Sequence, residues 1–497
     1  MYINDKKRIL TLLNTVTEAL DYCLNRGDGW EEYVNLSTEA LETISRFIAS
    51  KGITVNLDIL YKSIKSLHRL NITGGMTKSV MNTLKQIKSD ILYQTGLIKA
   101  VKCRWRAVFL PYNASMWTSL ESIWQAANSD PDCDTIVIPI PYYTISNLSG
   151  LSLNYEGDKL PAYVPVTPFN NYNIEDENPE MIFIHNPYDD VNNLTRVPEK
   201  YFSSNLKKYT DCLVYSPYFT YAAHNPGRTD FQYAVPGARN ADFIIVQSEK
   251  VKDIFISYGH RESKLLAVGS PKIDAIVNKM KQPVIIPGEW EHKLKDRKVF
   301  MLNTHLGYFQ KSSLNTTKIG DYAVRYHNEI LQAILNKPGR ALIWRPHPLL
   351  EEMLKDRFPK CYTYVKEIMQ LIEESDNGVI DRTADYSIAF RVSDALISTY
   401  SSLINEYMVT GKPVMIFQKK ASEEEVERAP INRNLNYFRF KPDGMTFESF
   451  VDMVCQGKDP LKEKRMEMLD KAFLNKDGTA GEKAYITIKE RLLINTS

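Results

Sequence analysis

The 497 residues show no concentration of cysteine, of charge of one sign, or of apolar residues in long runs. Each absence removes a class of function. The six cysteines, Cys23, Cys103, Cys133, Cys212, Cys361 and Cys455, include no CxxC pair and no Cys/His cluster at zinc spacing. They read as reduced core residues of a cytoplasmic protein. No stretch approaches the roughly 18 to 20 apolar residues that span a bilayer, so the chain is expected not to be integral to a membrane. The opening MYINDKKRILTLL is soon interrupted by Asn14, Thr15 and Glu18 with no small-residue cleavage site, and reads as no signal peptide. With 62 basic against 60 acidic residues, the net charge of +2 makes no field that argues for nucleic acid as a partner.

What is present is globular: 43% hydrophobic and 25% charged residues, in a length that suggests about three domains. From Lys6 to Lys102 the periodicity is helical, as in Val80, Leu84, Ile87, Ile91 and Ile98. This predicts an all-α appendage over residues 1–104. Its end carries Lys99, Lys102, Arg104 and Arg106 around Trp105, a basic patch suited to peripheral contact with anionic lipid at the inner face of the cell membrane; the plain alternative is a solvated helix end.

At Arg106 the pattern changes. AVFL, TIVIPI, MIFI, CLVY, FIIV and LLAV are short apolar runs that alternate with amphipathic segments between residues 105 and 280. After a charged, proline-containing stretch from Val277 to Arg297, VFML, ALIW, GVI, ALIS and PVMIF repeat the alternation over residues 295–497. Strand, helix, strand predicts two successive α/β domains with mostly parallel sheets, and ligands of such sheets bind at the carboxyl ends of strands.

Two segments stand at such ends. After ALIW, Arg345-Pro346-His347-Pro348 holds a guanidinium and an imidazole on a stiff loop, suited to phosphate; a proline turn with Arg345 in an ion pair is the alternative. After ALIS, Thr399-Tyr400-Ser401-Ser402 opens a helix whose free N–H groups favour an anion, and Glu406, a turn further, is placed to reach a ribose or glycerol hydroxyl. Asn303 and Thr304 follow VFML and are expected to add donors.

Together these segments resemble the glycerophosphotransferases that use CDP-glycerol to prime or polymerise teichoic acid. Arg345, His347 and Pro348 match that family's Arg-x-His-Pro loop, and Ser393, Asp394, Leu396, Ile397, Tyr400, Ser401 and Ser402 match its Ser-Asp-x-Leu-Ile-Thr-Asp-Tyr-Ser-Ser segment. Glu406 stands where the family has Asp, and Lys412-Pro413 matches its Lys-Pro. Gly269-Ser270-Pro271-Lys272-Ile273-Asp274 is similar to its Gly-x-Pro-Arg-x-Asp, and Asp477-Gly478-Thr479-Ala480 to its Asp-Gly-x-Ala. The resemblance implies a GT-B architecture of two facing Rossmann-like domains with the donor on the second, no cofactor and no metal, and a glycan, lipid-linked saccharide or teichoic-acid-like acceptor. Two departures stand out. Ser398-Thr399 replaces Thr-Asp, and the family's Trp-His-Gly-Thr is absent; its nearest equivalents by position contain Tyr215 and Tyr218, or His185.

In the implied reaction an acceptor hydroxyl attacks the donor phosphorus and expels CMP, with Arg345, His347 and the helix start at Ser401 stabilising phosphate charge. His185 is the candidate base, with His224 as its rival on the acceptor side. Two other readings stand beside this one: a nucleotide-sugar glycosyltransferase of the same architecture, and a non-catalytic nucleotide-binding or scaffolding subunit.

Overall fold

The periodic residues of the first hundred positions form four helices in the computed structural model, which describes all residues except 27, 71–73, 147–149, 222–226, 228–229, 305–320, 348, 384–385, 400, 402, 418–435, 440–444 and 495–497. They are α1 (Ile3–Arg26), α2 (Trp30–Ser50), α3 (Asp58–His68) and α4 (Lys78–Ala100). Thr77 starts α4 by accepting the Val80 N–H, and the stripe Val80, Leu84, Ile87, Ile91 and Ile98 is buried against Leu13, Leu20, Trp30, Leu41 and Leu60. These helices form one compact unit with residues up to 107, 130–135 and 174–181; the rest of the chain forms a second.

Within the first unit the basic patch is not a free cationic surface. Arg106 is only 3% exposed, its guanidinium pairs with Asp5 at 3.7 Å and with Glu177, and it lies 3.9 Å from the Tyr2 ring centre. Lys102 pairs with Asp132 at 2.6 Å, and Arg104 donates to Asp134 at 3.0 Å. Acidic residues distant in sequence neutralise most of what a local reading counts as positive. Among the described residues, no helix is long and apolar enough to cross a membrane.

Every apolar run that the sequence offers as a strand contains one. The first set is β1 (Trp105–Leu110), β2 (Cys133–Val137), β3 (Tyr142–Ser146), β4 (Gly150–Asn154), β5 (Met181–Ile184), β6 (Thr195–Arg196), β7 (Cys212–Tyr215), β8 (Phe243–Val246) and β9 (Leu265–Ala267). Six make a sheet in the order β2-β1-β5-β7-β8-β9. β4, β3 and β6 form a small antiparallel sheet with no counterpart in the sequence reading.

The second set is β10 (Lys298–Thr304), β11 (Arg340–Pro346), β12 (Gly378–Ile380), β13 (Ala395–Ser398), β14 (Val414–Ile416) and β15 (Tyr437–Phe438), all parallel in the order β12-β11-β10-β13-β14-β15. Helices cover both faces, so alternate residues feed two cores: Phe300, Leu302, Leu342, Trp344 and Ile397 on one face, Val299, Met301, Ala341, Ile343 and Leu396 on the other. That is why these strands read as unbroken apolar runs. The architecture is two Rossmann-like α/β domains of GT-B type preceded by an all-α appendage.

Four further helices matter for the site: α5 (Glu121–Asn128), α6 (Pro271–Met280), α7 (Leu403–Met408) and α8 (Ala480–Ile494). The C-terminal segment leaves the second sheet and returns to the first. Leu474 N–H donates to the Gln247 carbonyl at 2.9 Å and Asn475 Nδ2 to that of Val268 at 2.9 Å, after which α8 packs on α5. Gly269 has φ +101°, and a Cβ there would collide with the Leu474 carbonyl, so only glycine lets the returning chain pass.

Candidate active site

In the second sheet the chain runs from β10 outward to β12, then crosses to the other side of β10 to build β13 to β15. The connections leave β10 and β13 in opposite directions and open a crevice at their carboxyl ends, the ligand position of open α/β sheets. Strand register brings the expected residues there side by side: Asn303 is level with Arg345 on β11 and with Ser398 on β13. Asn303 Nδ2 donates to Ser398 Oγ at 2.9 Å and to Ser401 Oγ at 3.1 Å, while its carbonyl accepts the Thr399 N–H at 3.1 Å. These bonds hold the loop after β13 against the end of β10.

Arg345 is nearly buried. Its Nη1 donates to Asp381 Oδ2 at 2.7 Å and to the Thr383 carbonyl at 2.9 Å, and Asp381 is itself held by the Thr383 N–H and hydroxyl at 2.9 and 2.6 Å. The Tyr386 ring centre lies 5.7 Å from the guanidinium carbon. The ion pair offered as the alternative to phosphate binding is therefore present, and it sets the guanidinium's orientation while using one of its three nitrogens. On the loop beyond, His347 Nδ1 accepts the Leu349 N–H at 3.2 Å. That bond assigns the proton of the neutral ring to Nε2, which makes the outer nitrogen a donor.

Other expectations are corrected. The Thr304 hydroxyl accepts the Trp344 indole N–H at 3.1 Å and is fully buried, so it braces the sheet. Glu406 is 1% exposed and pairs at 2.8 Å with Lys272 of α6, so a buried salt bridge stands where contact with a sugar or glycerol hydroxyl was expected. α7, which the hydroxyl cluster precedes, has only six residues, and its dipole is correspondingly small. Tyr400 and Ser402 lie outside the described residues, as do Pro348 and His224.

On the first sheet the order places the equivalent crevice between β1 and β5. His185, just after β5, is wholly buried. Its Nε2 accepts the Tyr112 N–H at 3.1 Å, and Nδ1 lies 3.2 Å from both the Met116 carbonyl and the Ser119 hydroxyl. Burial lowers its pKa to about 3. The ring thus ties β5 to the segment after β1, a structural bond where a cleft-facing base was expected. Tyr215 is buried too, and burial pushes its phenol well above the ordinary range. Tyr218 is half-buried, with its ring centre 6.5 Å from that of Tyr188 and 5.2 Å from that of Phe219.

Sequence reading singled out Gly269–Asp274 and Asp477–Ala480 without bringing them together. Asp274 accepts the Ala480 and Gly481 N–H groups at 3.1 and 2.7 Å, and so caps α8. Burial raises its pKa to about 6 against these bonds. Asp381 has no local signal in the sequence, and Lys272, read only as part of its segment, shows no sign there of its partner Glu406.

Residues 220–490 match the family model described as CDP-Glycerol:Poly(glycerophosphate) glycerophosphotransferase. Over 231 residues the chain is 26% identical to the teichoic acid ribitol-phosphate polymerase TarK of Staphylococcus aureus, a stretch that covers 46% of this chain and 41% of that relative. The chain thus spans about two-fifths of the curated relative's length. Among solved structures, a putative UDP-N-acetylglucosamine 2-epimerase from Listeria monocytogenes is 13% identical with a TM-score of 0.52, covering 78% of this chain and 97% of its own. The wall teichoic acid polymerase TagF is 15% identical with a TM-score of 0.48, covering 89% and 99%. At 13% identity the likeness to the epimerase speaks for the fold alone.

Proposed function

The chain belongs to the CDP-glycerol:poly(glycerophosphate) glycerophosphotransferase family, and from that premise we propose that it moves glycerol phosphate from CDP-glycerol to a hydroxyl of a glycan, a lipid-linked saccharide or a teichoic-acid-like polymer. The observation that carries the reading is the line of Asn303, Arg345 and Ser398 across the second sheet's crevice, with His347 set as a donor on the loop above it.

In this reading the diphosphate of the donor lies at the carboxyl ends of β10, β11 and β13. The acceptor oxygen attacks the glycerol-bearing phosphorus, and CMP departs. His347 donates its Nε2–H to oxygen charge that grows during transfer, and the Arg345 guanidinium, held in place by Asp381, supplies fixed positive charge. Little rests on the short helix α7; the Asn303–Ser401 bond does more to shape the loop.

Calorimetry tests the donor assignment. CMP and CDP-glycerol should bind more tightly than UDP and UDP-sugars, and since one relative is named for ribitol phosphate, the ribitol analogue of the donor belongs in the same panel. Tighter binding of a UDP-sugar, with its turnover, would move the assignment to a nucleotide-sugar enzyme.

A further inference from the structure

With the family's Trp-His-Gly-Thr absent and His185 enclosed, the first domain needs another group to take the acceptor's proton. A carboxylate stands beside the carboxyl end of β1. Glu156 follows β4 and folds back over the carboxyl end of β1, where Oε2 accepts the Ala114 N–H at 2.9 Å and Oε1 accepts the Tyr142 hydroxyl at 3.0 Å. Lys159 reaches the same oxygen at 3.4 Å. Tyr142 stands on Tyr112, their ring centres 5.3 Å apart and perpendicular, so the phenol is held by the residue that also donates its N–H to His185. The Glu156 side chain keeps 16% of its surface exposed.

Two further observations single it out. Asp189, the first carboxylate after β5, is buried and tied to Ser203, whose N–H and hydroxyl it accepts at 2.9 and 2.7 Å; Glu156 is hydrogen-bonded too, but keeps more of its side chain open. Burial and Glu156 push the Tyr142 phenol up to about 12, and Glu352 adds to that push. Glu352 belongs to the helix Leu350–Arg357, which begins three residues after His347. Geometry places the pair beside the first sheet's strand ends: Tyr112, on which Tyr142 stands, follows β1 and donates its N–H to His185 after β5.

We propose that Glu156, oriented by Tyr142 and the Ala114 N–H, is the general base that activates the acceptor hydroxyl. The assignment rests on the transferase reading above. As the acceptor O–H breaks, its proton passes to a Glu156 oxygen. The freed oxygen bonds to the glycerol-bearing phosphorus, the P–O bond to CMP breaks, and CMP leaves with the electron pair; Glu156 then returns the proton to water.

The test uses the full chain, CDP-glycerol and a short poly(glycerophosphate) oligomer as acceptor, with CMP release as the readout. E156Q keeps an oxygen for the Ala114 N–H, and it should lose on the order of 100-fold or more in turnover with CMP affinity and melting temperature unchanged. E156A should be as slow and should recover with added sodium formate, which a purely structural carboxylate would not show. E156Q turnover within about threefold of wild type would overturn the assignment alone. Loss accompanied by a collapsed melting temperature, with no formate recovery in E156A, would overturn it in favour of a cap for Ala114. A wild-type chain that neither binds CMP nor consumes CDP-glycerol would overturn the transferase reading and this inference with it.

Discussion

His347 and Arg345 sit two residues apart on one loop, yet the structure gives their substitution different consequences. His347 is partly exposed and its Nδ1 makes a local bond to Leu349. His347→Ala should leave the fold intact and lower turnover about a hundredfold, roughly 3 kcal/mol of lost stabilisation of developing charge. CMP release and melting temperature, measured side by side, check this. Arg345→Ala strips the partner from the fully buried Asp381 carboxylate, so it should destabilise the protein by about 3 to 5 kcal/mol as well as weaken donor binding. Denaturant titration reads the first effect, and Arg345→Ala combined with Asp381→Asn should recover part of it. The sequence locates both residues at the end of β11 because prolines and a strand end are local features. It misplaced His185 for the converse reason: a histidine after a strand carries no sign of which way its ring turns, and here the ring turns inward to Tyr112.

At the scale of elements, strands buried on both faces were legible and the small antiparallel sheet was not. MIFI and CLVY announce themselves because both faces of their sheet are covered. β4 is exposed along most of its length, and its Gly-Leu-Ser-Leu-Asn makes no buried apolar run. Contacts between elements were hidden as well, the Asp274 cap on α8 above all. This cap makes a pH prediction. Burial raises Asp274 from 3.8 to about 6 in the fold, so between these values the folded state binds more protons than the unfolded chain. The stability contribution is therefore largest below about pH 4 and falls as the pH rises to about 6, by about 2 to 3 kcal/mol in this window. Chemical denaturation at closely spaced pH values should show this slope in the wild type and a flatter curve in Asp274→Asn.

At the scale of the whole molecule, the groups proposed to meet the donor stand at the strand ends of the second sheet, and the tyrosines and Glu156 stand near those of the first. The returning segment from Leu474 to α8 binds the chain of the second sheet to Gln247 and Val268 after strands β8 and β9 of the first, and Asp274 caps α8. The central claim is that the bond broken lies between the two phosphates of the donor. The product of turnover reports this directly. With CDP-glycerol labelled in its glycerol and a poly(glycerophosphate) acceptor, the account predicts release of CMP in step with label entering the polymer. Release of CDP, which would mean that glycerol moved without its phosphate, would contradict it.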